Sequence, residues 1–394
     1  MKKRRWLCLG LFDAAKSDAC KIHFFEIAEA LAQRGAEVEA MVPNAEIDES
    51  ALFGGVRVSV FGGNYTESLW RATWLSLLQL KEYALKSNSS VDVVYVRWRL
   101  LPAFFLRLIN RFKGLKPVIV SEHNGWVELE VELQRGSPFM GRIARLLQLW
   151  DGRSADAVIA VTDGIRQRLA QGGVAHNKVF TVDNGTNTEL FHPLPDKDAI
   201  KERLLGGRGP VMGFTGNLAR WQGVEAILEA FDRVAETHPE ARLLLVGSGL
   251  HEESVRRAAA DRKCADRITL AGNVDYAEMN LWLNAMDIGL APKSRALEGA
   301  GYSPLKVRDY AAAGIPVLAS DVTGLREFEP LGWLRTFDPD VSGDLGRVLV
   351  EMLADTEELR QRGAKARAYA EEHFSWERAA AKIEGVVDSV LKGR

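Results

Sequence analysis

The sequence predicts an α/β protein made of two doubly wound, parallel-sheet domains facing a central cleft. Three observations predict this. Short apolar runs alternate with helix-period segments along the whole chain, the signature of strands and helices in βαβ units. The apolar runs are rich in Val, Ile and Leu with little alternation, as expected of strands buried on both faces. The pattern then restarts after PLPDKD, so residues 191–208 read as a linker. A chain of 394 residues is long enough for two such domains.

In the first half, WLCLGLF, VEAMVP, VDVVYVR, PVIVSE and AVIAVT read as strands. In the second half, VMGFTG, RLLLVGSG, ITLAG, IGLAP and IPVLAS do so. HFFEIAEALAQRG and VEAILEAFDRVAETHP are among the helices between them. KKRR followed by WLCLGLF is too short, and too soon interrupted by Asp13, for a signal peptide. It reads as a first strand. No apolar run approaches the ~18 residues of a membrane span.

Composition narrows the function. Hydrophobic content of 47% and charged content of 26% are those of a soluble globular protein. A net charge of -2 gives no global pull toward nucleic acid. Residues 1–190 carry 24 basic and 21 acidic side chains, and the remainder 27 and 32, so the first half is the better candidate to meet an anionic surface. Cys8, Cys20 and Cys264 are scattered and lack metal spacing, which fits a reducing, cytoplasmic setting. After the first strand, Gly10 stands alone, so the dinucleotide fingerprint is missing.

The most informative stretch is EGAGYSPLKVRDYAAAGIPVLASD, residues 298–321. Ser303 followed by Pro304 reads as a helix start with a serine cap and proline at the first position. Gly314 ends that helix and Pro316 forbids its return. A helix N-terminus ahead of a buried strand is a ready anion site. Lys306 and Asp309 lie three apart on one face of it. That pair suits a phosphate and a sugar hydroxyl; an ordinary surface ion pair is the competing reading. Gly216 and Gly247–Ser248 mark two further strand ends, and ligands of open α/β sheets sit at such ends.

In order, these segments resemble the family-4 (group 1) retaining glycosyltransferases of the GT-B fold. AVIAVTDGIRQRL looks like the end of that family's first domain, and VDNGTNTELFHP is similar to its interdomain segment, with Asn187 where Asp is usual. GNLARWQG, LLLVGSG, ITLAGNVDYAEMNLWLNAMDIGLAPK and SPLKVRDYAAAGIPVLASD correspond to successive motifs of its second domain. FSWERAAAKIEGVV looks like the C-terminal helix that returns to the first domain. The resemblance implies an acceptor-binding domain over residues 1–190, completed by 376–394, and a donor-binding domain over 191–375. It implies transfer of a sugar from a nucleotide diphosphate-sugar to a glycan or lipid-linked acceptor in cell-surface glycan synthesis. It further implies that the anomeric configuration is retained and that neither a metal nor another cofactor takes part.

The implied donor residues are Gly216, Asn217, Arg220, Gln222, Gly247, Ser248, Val274, Tyr302, Ser303, Pro304, Leu305 and Asp309, with Lys306 on the leaving diphosphate. Preorganised amides and a cation there would meet the charge that develops on the leaving group. Asp309 stands where the family usually has the ribose-binding Glu. Asn217 and Gln222 stand where it usually has Arg and Lys; Arg220 and Lys306 are the substitutes. Glu298 is near, but out of register with, the family's first acidic residue. In the first domain the resemblance implies His123 beside the reacting sugar at the cleft edge, next to Glu122 and Asn124. His23 and Asn124 are the acceptor-side residues; His23 either polarises an acceptor hydroxyl or caps its helix.

Between Tyr95 and Lys116 there are six basic residues, no acid, and interleaved aromatics including Trp98, Phe104, Phe105 and Phe112. Two readings stand: peripheral binding to an anionic membrane surface on its inner face, or aromatics packed on the sheet with arginines in water. Two other functions also stand, a catalytically weak GT-B scaffold in a glycan-assembly complex and a sugar-nucleotide epimerase. The lost Arg and Lys favour the former; the SPLK loop disfavours the latter.

Overall fold

The computed structural model describes residues 3–12, 19–43, 54–63, 69–88, 90–97, 101–219, 222–295, 298 and 303–394. Two compact units divide the chain, one from Met1–Gly185 with Gly299–Ser303 and Trp376–Arg394, the other from Thr186–Glu298 with Pro304–Ser375.

Unit 1 runs β1 (Arg5–Leu9), α1 (Ala19–Gln33), β2 (Glu37–Pro43), β3 (Val56–Phe61), α2 (Leu69–Lys86), β4 (Val93–Arg97), α3 (Pro102–Lys113), β5 (Val118–His123), α4 (Val127–Arg135), α5 (Pro138–Ser154), β6 (Ala157–Ala160), α6 (Asp163–Gln171) and β7 (Val179–Thr181). Unit 2 runs α7 (Lys197–Leu205), β8 (Val211–Thr215), α8 (Val224–Thr237), β9 (Arg242–Val246), α9 (Glu252–Ala260), β10 (Ile268–Gly272), α10 (Met279–Asn284), β11 (Ile288–Ala291), α11 (Leu305–Ala312), β12 (Val317–Ser320), β13 (Leu334–Phe337), α12 (Asp344–Leu353) and α13 (Thr356–His373). The last helix, α14 (Trp376–Lys392), belongs to unit 1 and packs on α1.

The first sheet has seven strands ordered β3-β2-β1-β4-β5-β6-β7, and the second six ordered β10-β9-β8-β11-β12-β13. All registered pairs are parallel. Strand order reverses between β1 and β4 in one sheet and between β8 and β11 in the other. Helices leave these neighbours in opposite directions, which opens a crevice at their carboxyl ends.

Burial follows the sequence pattern. Val93–Val96, Val118–His123 and Ala157–Ala160 are buried throughout, as strands covered on both faces must be. In α8, Val224, Ile227, Leu228, Phe231 and Val234 are buried at helical spacing, so one stripe seals the second sheet. Three strands escape the reading of the sequence: β3, β7 and β13, all edge strands of their sheets. The supposed linker is also corrected. Its middle is the helix α7, capped by the Asp196 carboxylate and fixed by Lys201 against Asp287 at 2.7 Å.

Candidate functional site

In unit 2 the carboxyl ends of β8 and β9 are brought together by short backbone bonds. Gly216 N–H donates to Val246 O at 2.9 Å, and Leu218 N–H to Ser248 O at 2.9 Å. Gly216 and Gly247 hold φ of +129° and +128°. A Cβ on Gly247 would sit 2.1 Å from Gly216 O, so this approach requires glycine. Tyr310 pins α11 onto this end: its hydroxyl accepts from Thr215 N–H at 2.8 Å and lies 3.4 Å from Leu290 O. The helix therefore bridges the two strands that flank the reversal of strand order.

Lys306 is one helical turn before Tyr310 and on the same face. Its ammonium lies 3.6 Å from the centroid of the Phe214 ring and donates to Gln222 Oε1 at 3.2 Å. It makes no ion pair among the described residues. Burial pushes the ammonium well below the usual lysine range. A half-buried cation held only by a ring face and a neutral amide lacks the anion that would normally balance it.

Other implied donor residues fall as follows. Asn217 is exposed beside Gly249. Ser248 is half-buried, and Val274 packs on the apolar cluster that includes Tyr310 and Phe191. Asp309 Oδ1 accepts from the Thr186 hydroxyl at 2.7 Å, so part of the carboxylate is engaged by the protein. Arg220 and Tyr302 lie outside the described residues. The helix start is corrected: Pro304 is itself the cap residue and Leu305 the first helical one. The Ser303 hydroxyl is buried without a partner rather than capping, while Ser303 O accepts from Asn184 Nδ2 at 3.0 Å. Glu298 accepts from Thr323 N–H at 2.8 Å and pairs with Arg326 at 2.9 Å. Phe214 and Tyr310 were not singled out in the sequence; the signal for Tyr310 was its spacing of four from Lys306.

In unit 1 His123 is the last residue of β5. Strand alternation puts Ser121 and His123 on the face that α5 covers, and His123 is 0% exposed. Its Nε2 lies 3.2 Å from Ser121 Oγ, and its Nδ1 3.1 Å from Gln148 Nε2. Asp151 Oδ2 accepts from Ser121 Oγ at 2.6 Å. Gln148 also donates to Gly125 O at 2.8 Å and accepts from Val127 N–H, closing the loop over the ring. In this arrangement His123 is a member of a buried polar network. Asn124 beside it is half-buried, with its Nδ2 buried and unpartnered.

Glu122 points to the opposite face and pairs with His23 Nε2. His23 is buried, its ring edge-on to Trp376 with centroids 5.1 Å apart, so it serves neither as a helix cap nor as a solvent-facing group. Burial alone would raise Glu122, but His23, Arg97 and Tyr95 outweigh it and hold the carboxylate at about 2. Burial lowers His23 against the pull of Glu122. The pair at neutral pH is thus an ionised carboxylate accepting from a neutral imidazole, with Arg97 as the counter-charge. Both shifts have one consequence. Below about 6.5 the unfolded chain protonates His23 more readily than the folded one does, and below about 4.3 the same holds for Glu122. Stability is therefore expected to fall as pH drops from 6.5, by up to about 1.4 kcal/mol per pH unit for each group. Denaturant unfolding of the parent and of His23→Gln at stepped pH checks this; the variant should lose the slope just below 6.5 and, because His23 is the main group that lowers Glu122, show a weakened slope between 4 and 2.

Residues 21–190 match the model of Glycosyltransferase Family 4, and residues 209–355 that of Glycosyl transferases group 1. Together with two parallel sheets of Rossmann type, these matches define a GT-B protein. The chain belongs to the group 1, family-4 glycosyltransferases. It is 28% identical over 247 residues to a GDP-mannose-dependent monoacylated alpha-(1-6)-phosphatidylinositol monomannoside mannosyltransferase of Corynebacterium glutamicum, a match spanning 60% of this chain and 63% of that one. It is 25% identical over 303 residues to a GDP-mannose-dependent alpha-(1-6)-phosphatidylinositol monomannoside mannosyltransferase of Mycolicibacterium smegmatis, spanning 74% of each. Among solved structures, sucrose-phosphate synthase from Thermosynechococcus elongatus is similar with a TM-score of 0.81 at 19% identity, covering all of both chains. Anabaena HepE in complex with UDP and glucose has a TM-score of 0.76 at 18% identity, covering 98% of this chain and 99% of that one. These two likenesses concern the fold.

Proposed function

We propose that the protein transfers a sugar, with retention and without a metal, from a nucleoside diphosphate-sugar bound to unit 2 onto a glycolipid or glycan acceptor. The observation that carries this is Lys306, a half-buried ammonium at the carboxyl end of β8 that has no carboxylate partner among the described residues. As the glycosidic bond breaks, negative charge grows on the diphosphate. A preset cation and the free amides of the first turn of α11 would stabilise that charge more than they stabilise the ground state. Gln222, where the family usually has Lys, holds Lys306 by its Oε1 and leaves the remaining ammonium protons for phosphate. Asp309 accepts a ribose hydroxyl alongside Thr186. The relatives named as GDP-mannose-dependent make GDP-mannose the leading donor, and a phosphatidylinositol mannoside type of glycolipid the leading acceptor.

A thermal-shift and calorimetric series with GDP, UDP, ADP and TDP, each with and without EDTA, tests the donor. A selective rise with GDP that EDTA leaves unchanged is expected. A rise abolished by EDTA would remove metal independence. Silence with every nucleotide would favour the scaffold reading, for which the exchange of Arg and Lys for Asn217 and Gln222 is the specific support.

A further inference from the structure

The first turn of α11 is built without a side-chain cap. Pro304, the cap residue, has an extended backbone and accepts nothing from the turn through its side chain. A side-chain cap normally does two things. It satisfies an amide of the first turn, and it fixes the direction from which the chain enters. At an end that receives a diphosphate the first of these is a disadvantage, since cap and phosphate would compete for the same N–H groups. The direction of entry then has to be fixed from elsewhere.

Asn184 is placed to do this. Its Nδ2 donates to Ser303 O at 3.0 Å, and Ser303 is the residue immediately before the cap. Asn184 and Ser303 both belong to unit 1, whereas Pro304 and α11 belong to unit 2. Asn184 is 8% exposed, so the bond is shielded from water. The backbone that follows it is closely held. A Cβ on Gly185 would lie 2.7 Å from Trp376 N, which leaves the chain no space to shift toward the start of α14. Thr186 N–H donates to Phe374 O at 2.6 Å, and the Thr186 hydroxyl donates to Asp309 in the second turn of α11.

The other side of the amide meets the buried cluster of unit 1. Asn184 Oδ1 is buried without a hydrogen-bond partner. Burial lowers His23 above all, and Asn184 is among the groups at the ring that favour its protonated form. His23 is itself fixed by Glu122 and by the edge-on Trp376 ring. Turning the amide over would set its oxygen against Ser303 O, two acceptors facing each other. One orientation is therefore selected, with the N–H toward Ser303. The Ser303 hydroxyl is buried and unpartnered as well, a cost that folding alone does not require.

We propose that Asn184 is a positioning residue for the donor site: by holding Ser303 O, it sets where the uncapped first turn of α11, with Lys306 in it, meets the diphosphate. This deepens the sugar-transfer reading and rests on it. Asn184 acts through Ser303 and needs no contact with the donor.

Titration calorimetry with GDP, UDP, ADP and TDP tests this on the parent, Asn184→Ala, Asn184→Asp, Lys306→Met, and Asn184→Ala combined with Lys306→Met. Asn184→Asp keeps the shape and removes the N–H that Ser303 O accepts, so it carries the test should the alanine variant not fold. Both Asn184 variants are expected to bind the preferred nucleotide about three- to tenfold more weakly, the worth of one hydrogen bond. In the Lys306→Met background Asn184→Ala should weaken binding by less than about twofold, because the group being aimed is gone. A merely structural residue would lower the melting temperature and weaken binding by the same factor in both backgrounds. That result, or parent-like affinity in both Asn184 variants, would overturn the proposal while leaving the donor site in place. A parent that binds none of the four nucleotides would overturn the sugar-transfer reading, and this inference with it, before any variant is compared.

Discussion

Lys306→Met is expected to weaken nucleoside diphosphate binding by roughly ten- to a hundredfold, the worth of a charge-assisted phosphate contact. The same substitution is expected to stabilise the free protein by about 1–3 kcal/mol, because a desolvated charge without a carboxylate gives way to an apolar chain of similar length over Phe214. Opposite signs for affinity and stability distinguish a binding lysine from a structural one, whose removal would lower both. Proton linkage supplies a third readout. The ammonium of the free protein titrates well below the lysine value of about 10.4. Between that lowered pKa and 10.4 the unfolded chain holds a proton that the folded chain has released, so stability rises with pH across the window. Below the lowered pKa both states are charged and the desolvation penalty is full. A bound diphosphate reverses the shift, so nucleotide binding within the window takes up a proton. Calorimetry in buffers of different ionisation enthalpy measures that uptake, and Lys306→Met should abolish it. Unaltered affinity and unaltered proton uptake in the variant would take Lys306 out of the donor site.

Much of this architecture is written in local pattern. The central strands announce themselves because strands buried on both faces need continuous apolar runs, and β1, β4, β5, β8, β9, β11 and β12 all have them. The edge strands do not: VRVSVF in β3 alternates, and VFT in β7 is three residues long, too short for a pattern. The meeting of the β8 and β9 carboxyl ends with the start of α11 was legible for a related reason. Glycines forced by close backbone approach, and a Pro ahead of a short helix, leave a mark in sequence, so Gly216, Gly247 and Lys306 could be placed together. What holds Lys306 was not legible, since Phe214 is a core residue of β8 by pattern, and only the three-dimensional register of β8 against α11 sets its ring under the ammonium. The partners of His123 were not legible for the complementary reason. A histidine at a strand end is visible in sequence, but the two side chains that occupy its ring nitrogens come from α5 and from two residues earlier on β5. Nothing local to SEHNGW shows that Gln148 will arrive there. Family membership gives the reaction class, whereas the packing of α5 decides what this histidine touches.

Asp151→Ala is expected to cost about 2–5 kcal/mol of folding stability, from two buried donors left unpaired at about 1–3 kcal/mol each. Asp151 is fully buried, and its two oxygens serve different elements. Oδ1 accepts from Ala103 N–H at 2.8 Å, satisfying an orphan donor in the first turn of α3. Oδ2 accepts from Ser121 Oγ at 2.6 Å and stands 3.6 Å from His123 Nε2. One carboxylate of α5 thus caps α3 and orders β5. The cap matters because Leu101, just before Pro102, holds φ at +63°, a left-handed conformation that costs a branched residue about 1–2 kcal/mol. Without Asp151 that strain and an unsatisfied amide remain together, and the Ser121 hydroxyl, which contacts His123 Nε2, loses its acceptor. Asp151→Asn keeps one oxygen and the shape, so it should cost less, about 1–3 kcal/mol, the penalty for one donor left unmatched. Denaturant unfolding of the two variants measures the ordering. Fraying of α3 in hydrogen exchange, confined to its first turn in Asp151→Asn and spreading along the helix in Asp151→Ala, would locate the loss. Equal stability of parent and Asp151→Ala would mean that α3 starts without this cap and that the His123 network is held by Gln148 alone.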